Sequence, residues 1–516
     1  MKTKLLLAML LIGTLMPLQL FAQKASLTNV KAVQLRNISA IKENGEVKGY
    51  VLFYLVDKKN SKENNFKLNI YDANLTLKYD INFVRPATTY LLESSFNDET
   101  FCFSFYNAKE KKIECVMFDQ DGKQTGTYKT PQMSKVEIAS YAAAVAANTN
   151  TPPTLVGVPN VGFARYGLDP VSENKSIVTV FDKNGKVKWS ATYTGKAKNS
   201  YATSYSIAHD ENVLVSAVMV RDGKLSQKIS EQFLKFHDAQ TGKELFTFDN
   251  KKDKNQYSVS NVTSENNKIF IYGEYFGLED NIIKDDSKGL FVLITDKSGN
   301  VQKESYTSWE DIQKIMPNAM MNDKGKRVKL CMQEIVKTAD NNYFIVCEQF
   351  FRTADALGIA SNVLNKGYGS NVTKIVLQDL VVLEFDDNFK FKKGDVIKKN
   401  KQSVTLPAGM DFYGTPFIAY YLKATGLFDY AFTNESADKK TFSSIYVNYD
   451  KETEKGAQVI GSISYNKDKK MVEDKITLTS KPTRYGVFPA KAGYVTIFEY
   501  FAKKKTADIR MERLNL

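Results

Sequence analysis

The chain has 516 residues, with 71 Lys and Arg against 58 Asp and Glu, and its formal net charge is +13. Basic and acidic residues are mixed through short polar segments, which favours a solvated surface and argues against nucleic-acid binding. There are only 2 His and 4 Cys; none has metal-ligand spacing, so we expect no metal site and no cofactor. The abundance of Tyr and Phe favours a β-rich protein.

The N-terminal segment has the features of a secretory signal peptide. The basic segment Met1–Lys4 is followed by an apolar stretch, Leu5–Phe21. This stretch is too short for a membrane span and is interrupted by polar residues, Gly and Pro, which suits a signal peptide. Leu20 stands three residues before the expected cleavage point, where a signal peptide usually has a small residue. The alternative to a cleaved signal peptide is an uncleaved anchor helix. We expect residues 1–22 to be removed. Residues 23–516 are then predicted to form one propeller domain that does not span a membrane and is exported to the periplasm, the outer surface or the medium.

Seven segments along the chain share one pattern, in which a β-rich stretch ends in an aromatic residue or Thr, followed by Asp and a polar turn. Their Asp residues are Asp72, Asp119, Asp182, Asp238, Asp296, Asp386 and Asp450. Some continue into Gly and Lys, as Asp182 does at Gly185 and Lys186. Asp accepts hydrogen bonds from the turn's own backbone, and Gly supplies a position with positive φ. Each segment therefore predicts a hairpin.

A second set of hairpin signals alternates with the first, each a polar turn followed by an aromatic or β-branched strand. Examples are Lys42–Gly45 before Tyr50–Phe53, and Asp340–Asn342 before Tyr343–Ile345. Two hairpins per unit make four strands, and the units recur about every 50 to 65 residues. The pattern predicts an all-β protein, a single β-propeller of seven or eight four-stranded blades with short helical insertions. A string of sandwich domains is disfavoured because no linker separates the units.

The two ends of the chain are expected to close the ring. The C-terminal segment Asp508–Leu516 has the pattern of a strand without a partner in its own unit. We predict that Val30–Leu35, near the start of the mature chain, completes that last blade. Such closure removes open sheet edges that would otherwise template aggregation.

Three segments interrupt the repeat. Val136–Ala147 is helix-compatible, Trp309–Met321 looks like a short helix, and Arg352–Asn371 contains a possible helix at Ala354–Leu364. Insertions in repeat proteins tend to gather on one face, often the binding face. We therefore predict that Trp309 lies with the Arg352–Asn371 loop on one face near the channel mouth, where its ring would contact a ligand. The alternative is that the insertions only cap the ends of blades.

One turn resembles the repeat of quinoprotein-type propellers. It is Phe181–Trp189, which reads Phe-Asp-Lys-Asn-Gly-Lys-Val-Lys-Trp, and His237–Phe246 is more loosely similar. The resemblance covers only the hairpins and implies blade geometry. The adjacent cysteines of the quinoprotein dehydrogenases are absent, so it does not imply a quinone cofactor. The binding and scaffold members of that architecture are the closer analogy.

The motif Arg-Tyr-Gly-aliphatic-x-Pro occurs twice, once from Arg165 and Tyr166 and once from Arg484 and Tyr485. One interpretation is a shared strand-to-turn corner, shaped by Gly and Pro, in which Arg and Tyr only pack. The other is that these guanidinium and phenol groups line one mouth of the central channel and hold an anionic or sugar ligand.

The four cysteines bracket two predicted hairpins, Cys102 with Cys115 and Cys331 with Cys347. An exported protein permits disulfides. Opposite strand positions seldom give good disulfide geometry, however, and a free Cys is often a small core residue. We expect four reduced, buried cysteines.

No motif points to an enzyme, since the chain has neither a G-x-S-x-G elbow nor a P-loop. The sequence therefore favours an exported, monomeric binding or scaffold propeller that recognises a glycan, a peptide or a cell-envelope protein. The alternative is a glycan-active lyase or hydrolase with its site at the channel mouth. Convergent carboxylates with perturbed titration in a deep pocket would favour the enzyme. A shallow, aromatic and basic surface would favour the binding protein.

Overall fold

We describe a computed structural model of the chain. It describes residues 23–514 apart from 34, 44–45, 148–153, 225, 227–228, 253, 283, 323, 355–372, 407–413, 451–456 and 479. The predicted signal peptide and the predicted Ala354–Leu364 helix, save its first residue, lie outside the described residues.

The hairpin signals correspond to four-stranded antiparallel sheets in the first half of the ring. In each sheet the strands follow chain order. Blade one comprises Ile38–Glu43, Glu46–Lys58, Glu63–Asp72 and Leu77–Pro86. Blade two comprises Thr89–Phe96, Thr100–Asn107, Lys112–Asp119 and Gln124–Lys129. Blade three comprises Leu155–Val158, Gly162–Leu168, Ser176–Phe181 and Val187–Tyr193. Blade four comprises Tyr201–His209, Val213–Arg221, Ile229–Asp238 and Glu244–Asp249.

The second half of the ring repeats the meander with two additions. Blade five comprises Asn255–Glu265, Lys268–Gly277, Gly289–Asp296 and Val301–Ser308, with the short strand Lys251–Lys252 added beside the first. Blade six comprises Lys329–Lys337, Tyr343–Ala354, Thr373–Phe385 and Phe391–Ile397, and Gln402–Thr405 pairs with its third strand. Blade seven comprises Tyr430–Glu435, Phe442–Asp450, Ala457–Tyr465 and Met471–Thr477. Blade eight comprises Arg484–Pro489, Tyr494–Phe501, Thr506–Arg513 and the N-terminal strand Lys24–Leu27.

Within the described residues these sheets form a β-propeller ring of eight blades. The first strands of successive blades from two to eight pack against one another around a central channel, as do the first strands of blades eight and one. The N-terminal strand closes the ring, with Lys24 opposite Arg510 and Leu27 opposite Ala507. The prediction of closure is confirmed, but the predicted residues Val30–Leu35 are wrong. Val30 and Val33 lie instead in the core between blades eight and one.

The core lies between the blades rather than inside any one of them. The second strand of blade two, Thr100–Asn107, is buried at every position, because both of its faces pack against neighbouring blades. Between blades one and two the rings of Phe53 and Phe103 stack with centroids 4.4 Å apart. Outer strands such as Leu77–Pro86 instead alternate exposed and half-buried residues, which is the period-2 pattern that the sequence shows.

The Asp-containing turns have the predicted geometry. Asp182 Oδ1 accepts hydrogen bonds from the amides of Asn184 and Lys186, each at 2.9 Å. Gly185 follows with φ of 82°, a conformation that favours glycine. The turn geometry confirms the predicted hairpin.

The helices that join successive blades lie on one face of the ring. Those in the described part are Lys135–Ala147 after blade two, Trp309–Ile315 after blade five and Thr415–Ala424 after blade six. Each connects the last strand of one blade with the first strand of the next. We call this the insertion face and the opposite one the turn face. The predicted placement of the Arg352–Asn371 loop on the same face as Trp309 stays a prediction, because residues 355–371 lie outside the described part of the chain. The third helix, Thr415–Ala424, was not predicted from the sequence.

All four cysteines are free and buried. The two cysteines that bracket each hairpin are not directly opposed across the strands, because Cys102 lies opposite Met117 and Cys331 lies opposite Glu348. Among the described residues, no helix combines the length and apolar character that a membrane span needs.

Candidate functional site

The central channel brings together four charged residues and one amide from five blades. We call Lys42, Asp98, Asn261, Glu334 and Glu435 the channel cluster. Lys42, Asn261, Glu334 and Glu435 lie on the first strands of blades one, five, six and seven, and Asp98 lies in the first turn of blade two. Because first strands surround the axis, residues far apart in sequence converge there.

Bulges in the pairing of first and second strands lie beside several of these side chains. A β-bulge adds one residue to a strand and re-aims the side chains beside it. The pairing of first and second strands shifts in blades one, two, four, five, six and seven, at Ile41–Lys42, Leu91–Glu93, Ser206–Ala208, Val259–Asn261, Met332–Glu334 and Tyr430–Phe432. Three of these shifts fall at members of the channel cluster.

Glu334 is held in place by its neighbours. Its Oε1 atom accepts a hydrogen bond of 3.1 Å from Asn261 Nδ2 and one of 3.0 Å from the Ile335 amide. Burial raises the pKa of Glu334, and these hydrogen bonds together with the positive charges of Lys423 and Lys42 partly offset that effect. Glu334 is therefore fixed and easier to protonate than an ordinary glutamate.

The other charges of the cluster face one another without closing into ion pairs. Burial raises the pKa of Glu435 and of Asp98. Burial lowers the pKa of Lys42, although the carboxylates of Glu435, Asp98 and Glu334 oppose the shift. Among the described residues, neither Lys42 nor Glu435 has an oppositely charged side chain within 4.0 Å. Three carboxylates and one amine thus face one another, with Lys42 and Glu334 half-buried and Asp98 and Glu435 exposed to solvent, and each can interact with a ligand.

The Thr415–Ala424 helix crosses the insertion-face end of the channel. Lys423 Nζ donates to the carbonyl oxygens of Met332 and Gln333 in blade six, at 3.0 and 2.9 Å. The Tyr420 ring lies 5.6 Å from the Tyr205 ring of blade four. One helix therefore contacts the first strands of two blades that are separated by a third, and it narrows the channel at this end.

Trp309 is not exposed. Its side chain is 6% exposed within the core of blades five and six, and its Nε1 atom donates to Ser287 Oγ at 2.9 Å. It lines a small cavity beside Glu274, whose pKa burial raises to about 7. The expectation of a surface ring is wrong, because the helix that begins at Trp309 packs onto the blades. Its ligand-binding role stays a prediction.

The two Arg-Tyr-Gly motifs do not meet. Arg165 and Tyr166 lie on the second strand of blade three, whereas Arg484 and Tyr485 lie on the first strand of blade eight. Tyr166 is buried, with its hydroxyl 3.0 Å from Ser216 Oγ, and the Tyr485 hydroxyl donates to Gln458. A single ligand site built from both motifs is therefore not formed. The binding roles of the individual residues stay predictions.

The channel cluster is the site that sequence reasoning missed. Its residues belong to polar turns and strand ends that look like those of every other repeat, and no local signal marks the bulges. In the part of the chain that the structure describes, no group of three or more His, Cys, Asp or Glu residues is arranged to hold a metal ion.

The chain matches a family of unknown function (DUF6770) over residues 1–515, and it belongs to that family. No curated protein matches the chain.

Solved structures of other propellers are similar to it at low identity. Prolyl oligopeptidase B from Galerina marginata is 9% identical with a TM-score of 0.41, covering 90% of this chain and 55% of that one. Oligopeptidase B from Leishmania major is 11% identical with a TM-score of 0.31, covering 85% and 54%. The β-propeller domain of the Trilobed protease from Pyrococcus furiosus is 8% identical with a TM-score of 0.31, covering 73% and 97%. The chain spans about half the length of the two oligopeptidases, and we draw no function from these similarities.

Proposed function

We propose that this family member is an exported binding propeller whose channel cluster takes a polar ligand rich in hydroxyl or amino groups, such as a glycan or a peptide. The observation that supports this is the convergence of Lys42, Asp98, Glu334 and Glu435 without ion pairs between Lys42 or Glu435 and their neighbours. Charged groups taken partly out of water are costly unless they find partners. A ligand supplies those partners.

The chemistry of the cluster fits hydroxyl and ammonium groups. Carboxylates accept hydrogen bonds from both, and charge-assisted hydrogen bonds are the stronger kind. Asn261 has one Nδ2 hydrogen on Glu334 and an amide oxygen that can orient a further donor. Three carboxylates against one amine favour a neutral or cationic ligand over an anionic one.

The route of entry follows from the position of the helix. The Thr415–Ala424 helix narrows the insertion-face end. Lys42 and Glu435 lie at the turn-face ends of their strands, and Asp98 lies in a turn of the same face. We therefore propose that the ligand enters from the turn face, which the sequence did not favour.

A second candidate function is a glycan hydrolase or lyase. It is favoured by the raised pKa of both Glu334 and Glu435. One protonated and one ionised carboxyl group can act as general acid and base on opposite sides of a glycosidic bond.

A binding experiment tests the first proposal. The mature chain is screened against glycans, peptides and envelope proteins, and hits are titrated by calorimetry. Glu435→Gln and Lys42→Met should weaken binding about tenfold or more, since each removes a charge-assisted hydrogen bond. The control is Glu244→Gln, on the outermost strand of blade four, where Glu244 pairs with Lys235. Equal binding by all variants would place the ligand elsewhere.

An activity assay separates the two candidates. Acidic and neutral polysaccharides are incubated with the wild type, Glu334→Gln and Glu435→Gln, and new reducing ends or unsaturated products are measured. Turnover that both variants lose, with ligand binding retained, supports the enzyme. Binding without turnover supports the binding protein.

Export is part of the proposal and rests on the N-terminal sequence. We propose that the protein is released beyond the inner membrane with its N-terminus at or within a few residues of Gln23. Intact-mass measurement of the exported protein tests this, and a mass that still includes residues 1–22 would contradict it.

A further inference from the structure

Arg165 is a buried cation with an unsatisfied edge. Its side chain is 7% exposed, and its Nε and Nη2 atoms are buried without a hydrogen-bond partner in the described part of the chain. Buried polar groups are nearly always hydrogen-bonded, so two guanidinium donors without a partner are unusual. Nε and Nη2 form the edge of the guanidinium that donates two parallel hydrogen bonds to one oxyanion.

Arg165 lines a cavity of about 510 Å³ between blades two and three. The cavity is distinct from the channel, since Arg165 lies on a second strand. Two further cations, Lys112 and Lys129, line it together with the hydroxyl groups of Tyr128, Thr130, Thr179 and Ser190. Among the lining residues Glu137 is the one acid. The wall therefore carries more cations than acids and several hydroxyl groups, and Lys129 also lies 3.6 Å from Glu114 Oε1.

The acids near Arg165 are engaged elsewhere. Glu137 Oε1 accepts from the Leu168 amide at 3.0 Å, and its Oε2 accepts from the Ser134 amide at 3.3 Å. Glu93 binds Thr154 through both of its carboxylate oxygens, and burial raises its pKa. Neither acid forms an ion pair with Arg165.

Gly167 gives the guanidinium its room. A Cβ atom at this position would lie 2.8 Å from Arg165 Nη1 and 2.9 Å from Glu137 Oε1. The glycine of the Arg-Tyr-Gly motif thus leaves space for the guanidinium of the arginine two residues before it.

We infer that this inter-blade cavity binds an oxyanion, a carboxylate or phosphate group, with the Arg165 guanidinium as its main partner. Lys112 and Lys129 supply the surrounding positive field, and the hydroxyl groups donate further hydrogen bonds. Arg165 lines the cavity while its Nε and Nη2 atoms are shielded from solvent, so the anion has to reach this edge of the guanidinium to form two parallel hydrogen bonds. The site is independent of the channel ligand.

Calorimetry and thermal unfolding of the full mature chain test this site. The probes are inorganic phosphate, which tests a phosphate group, and glucuronate, which tests a sugar carboxylate; glucose is the neutral control. Saturable binding of either anion, with a raised thermal midpoint, is expected for the wild type. Arg165→Gln should weaken binding about 10- to 100-fold, since it removes a bidentate charged partner.

Two further variants keep the test decisive. Arg221→Gln is the matched control, because Arg221 lies on the second strand of blade four, over the Tyr201 ring at 4.8 Å, and it should bind as the wild type does. Lys129→Gln changes an exposed rim residue and should weaken binding a few-fold even if Arg165→Gln does not fold. Absence of saturable anion binding in the wild type, or undiminished binding by Arg165→Gln and Lys129→Gln, would overturn the inference.

Discussion

The joint between blades three and four is apolar, whereas the joint between blades six and seven is built around buried charges. At the apolar joint, Trp189 on the outermost strand of blade three packs onto the last turn of blade four. Its Nε1 atom donates to the Ala239 carbonyl oxygen at 2.9 Å, and its ring stacks on His237 with centroids 5.6 Å apart. Gly242 lies against the ring with φ of 74°.

At the charged joint, Lys399 follows the last strand of blade six and meets two carboxylates. Its Nζ atom lies 2.8 Å from Glu348 Oε1 and also contacts Asp429. Glu348 accepts from the Asp429 and Tyr430 amides at 3.3 and 3.1 Å, and Asn448 donates to Asp429 at 2.7 Å. The side chains of Lys399, Glu348 and Asp429 are 1%, 0% and 4% exposed.

The difference shows two ways of fixing neighbouring blades. At the apolar joint the stabilisation grows with the apolar area that is buried, so truncating one side chain removes only part of it. The charged joint holds only while each charge keeps its partners, because removal of one partner leaves another charge buried and uncompensated. The following experiments separate these two behaviours.

Lys399→Met should have the largest effect. It leaves Glu348 and Asp429 together without a cation, and we expect a loss of about 3–5 kcal/mol of unfolding free energy. Urea denaturation measures it. The control is Lys440→Met in blade seven, because the side chains of Lys440 and its partner Asp438 are 67% and 53% exposed, and it should lose less than about 1 kcal/mol. A Lys399→Met protein as stable as the control would refute the charged joint.

Trp189→Ala should cost about 3 kcal/mol, at the low end for a buried Trp, because part of the ring edge lies near the surface. Circular dichroism during urea denaturation measures it without depending on Trp fluorescence. Val187→Ala, on the same strand and 45% exposed, should change stability by less than about 0.5 kcal/mol. A similar loss in both variants would mean that the joint does not depend on the indole.

Gly242→Ala should cost about 2 kcal/mol, because its φ is positive and the new Cβ would lie 2.5 Å from the Trp189 ring. In the Trp189→Ala background the new Cβ no longer meets a ring. The stability losses of Gly242→Ala and Trp189→Ala should therefore sum to more than the loss of the double variant. Gly223→Ala is the control, since its nearest neighbour lies 3.9 Å away. Strict additivity would show that Gly242 and Trp189 do not act on each other.

The two joints should respond to pH with opposite sign, and this is the smallest effect. Burial raises the pKa of Glu348 above its ordinary value of 4.5, so its contribution to stability is complete below pH 4.5 and is lost as the pH rises through the folded pKa. Burial lowers the pKa of His237 below its ordinary value of 6.5. Its contribution to the stability of the folded protein is therefore complete above pH 6.5 and is lost as the pH falls through the folded pKa.

Denaturation at a series of pH values measures both slopes. Glu348→Gln should flatten the fall of stability towards neutral pH, and His237→Gln should flatten the rise of stability towards pH 6.5. Unchanged slopes in these variants would assign the pH dependence to other groups.

Much of the fold could be predicted from the sequence. The Asp-x-x-Gly turns and the alternation of apolar residues predicted four-stranded blades, because turn chemistry and strand period are local properties. The closing strand was predicted in kind but misplaced to Val30–Leu35. Short apolar runs near the N-terminus carry little information about which one pairs with Thr506–Arg513.

The candidate site could not be predicted in the same way. Lys42, Glu334 and Glu435 stand in three blades, and only the closure of the ring brings them across one channel. The bulges beside Lys42 and Glu334 have no fixed sequence signature. Trp309 was predicted to lie on a ligand-binding surface near the channel mouth because it stands in an insertion, but Trp309 and Ile312 of its helix are buried against the blades.

The sequence by itself determined the strand pattern, the turns and the repeat of the hairpin unit, since these depend on residues a few positions apart. Only the tertiary structure decided which strand closes the ring, which charges meet in the channel and which joints carry Lys399 or Trp189. These depend on residues of different blades. Their proximity results from packing sheet faces around an axis, and that geometry is not written in any local segment.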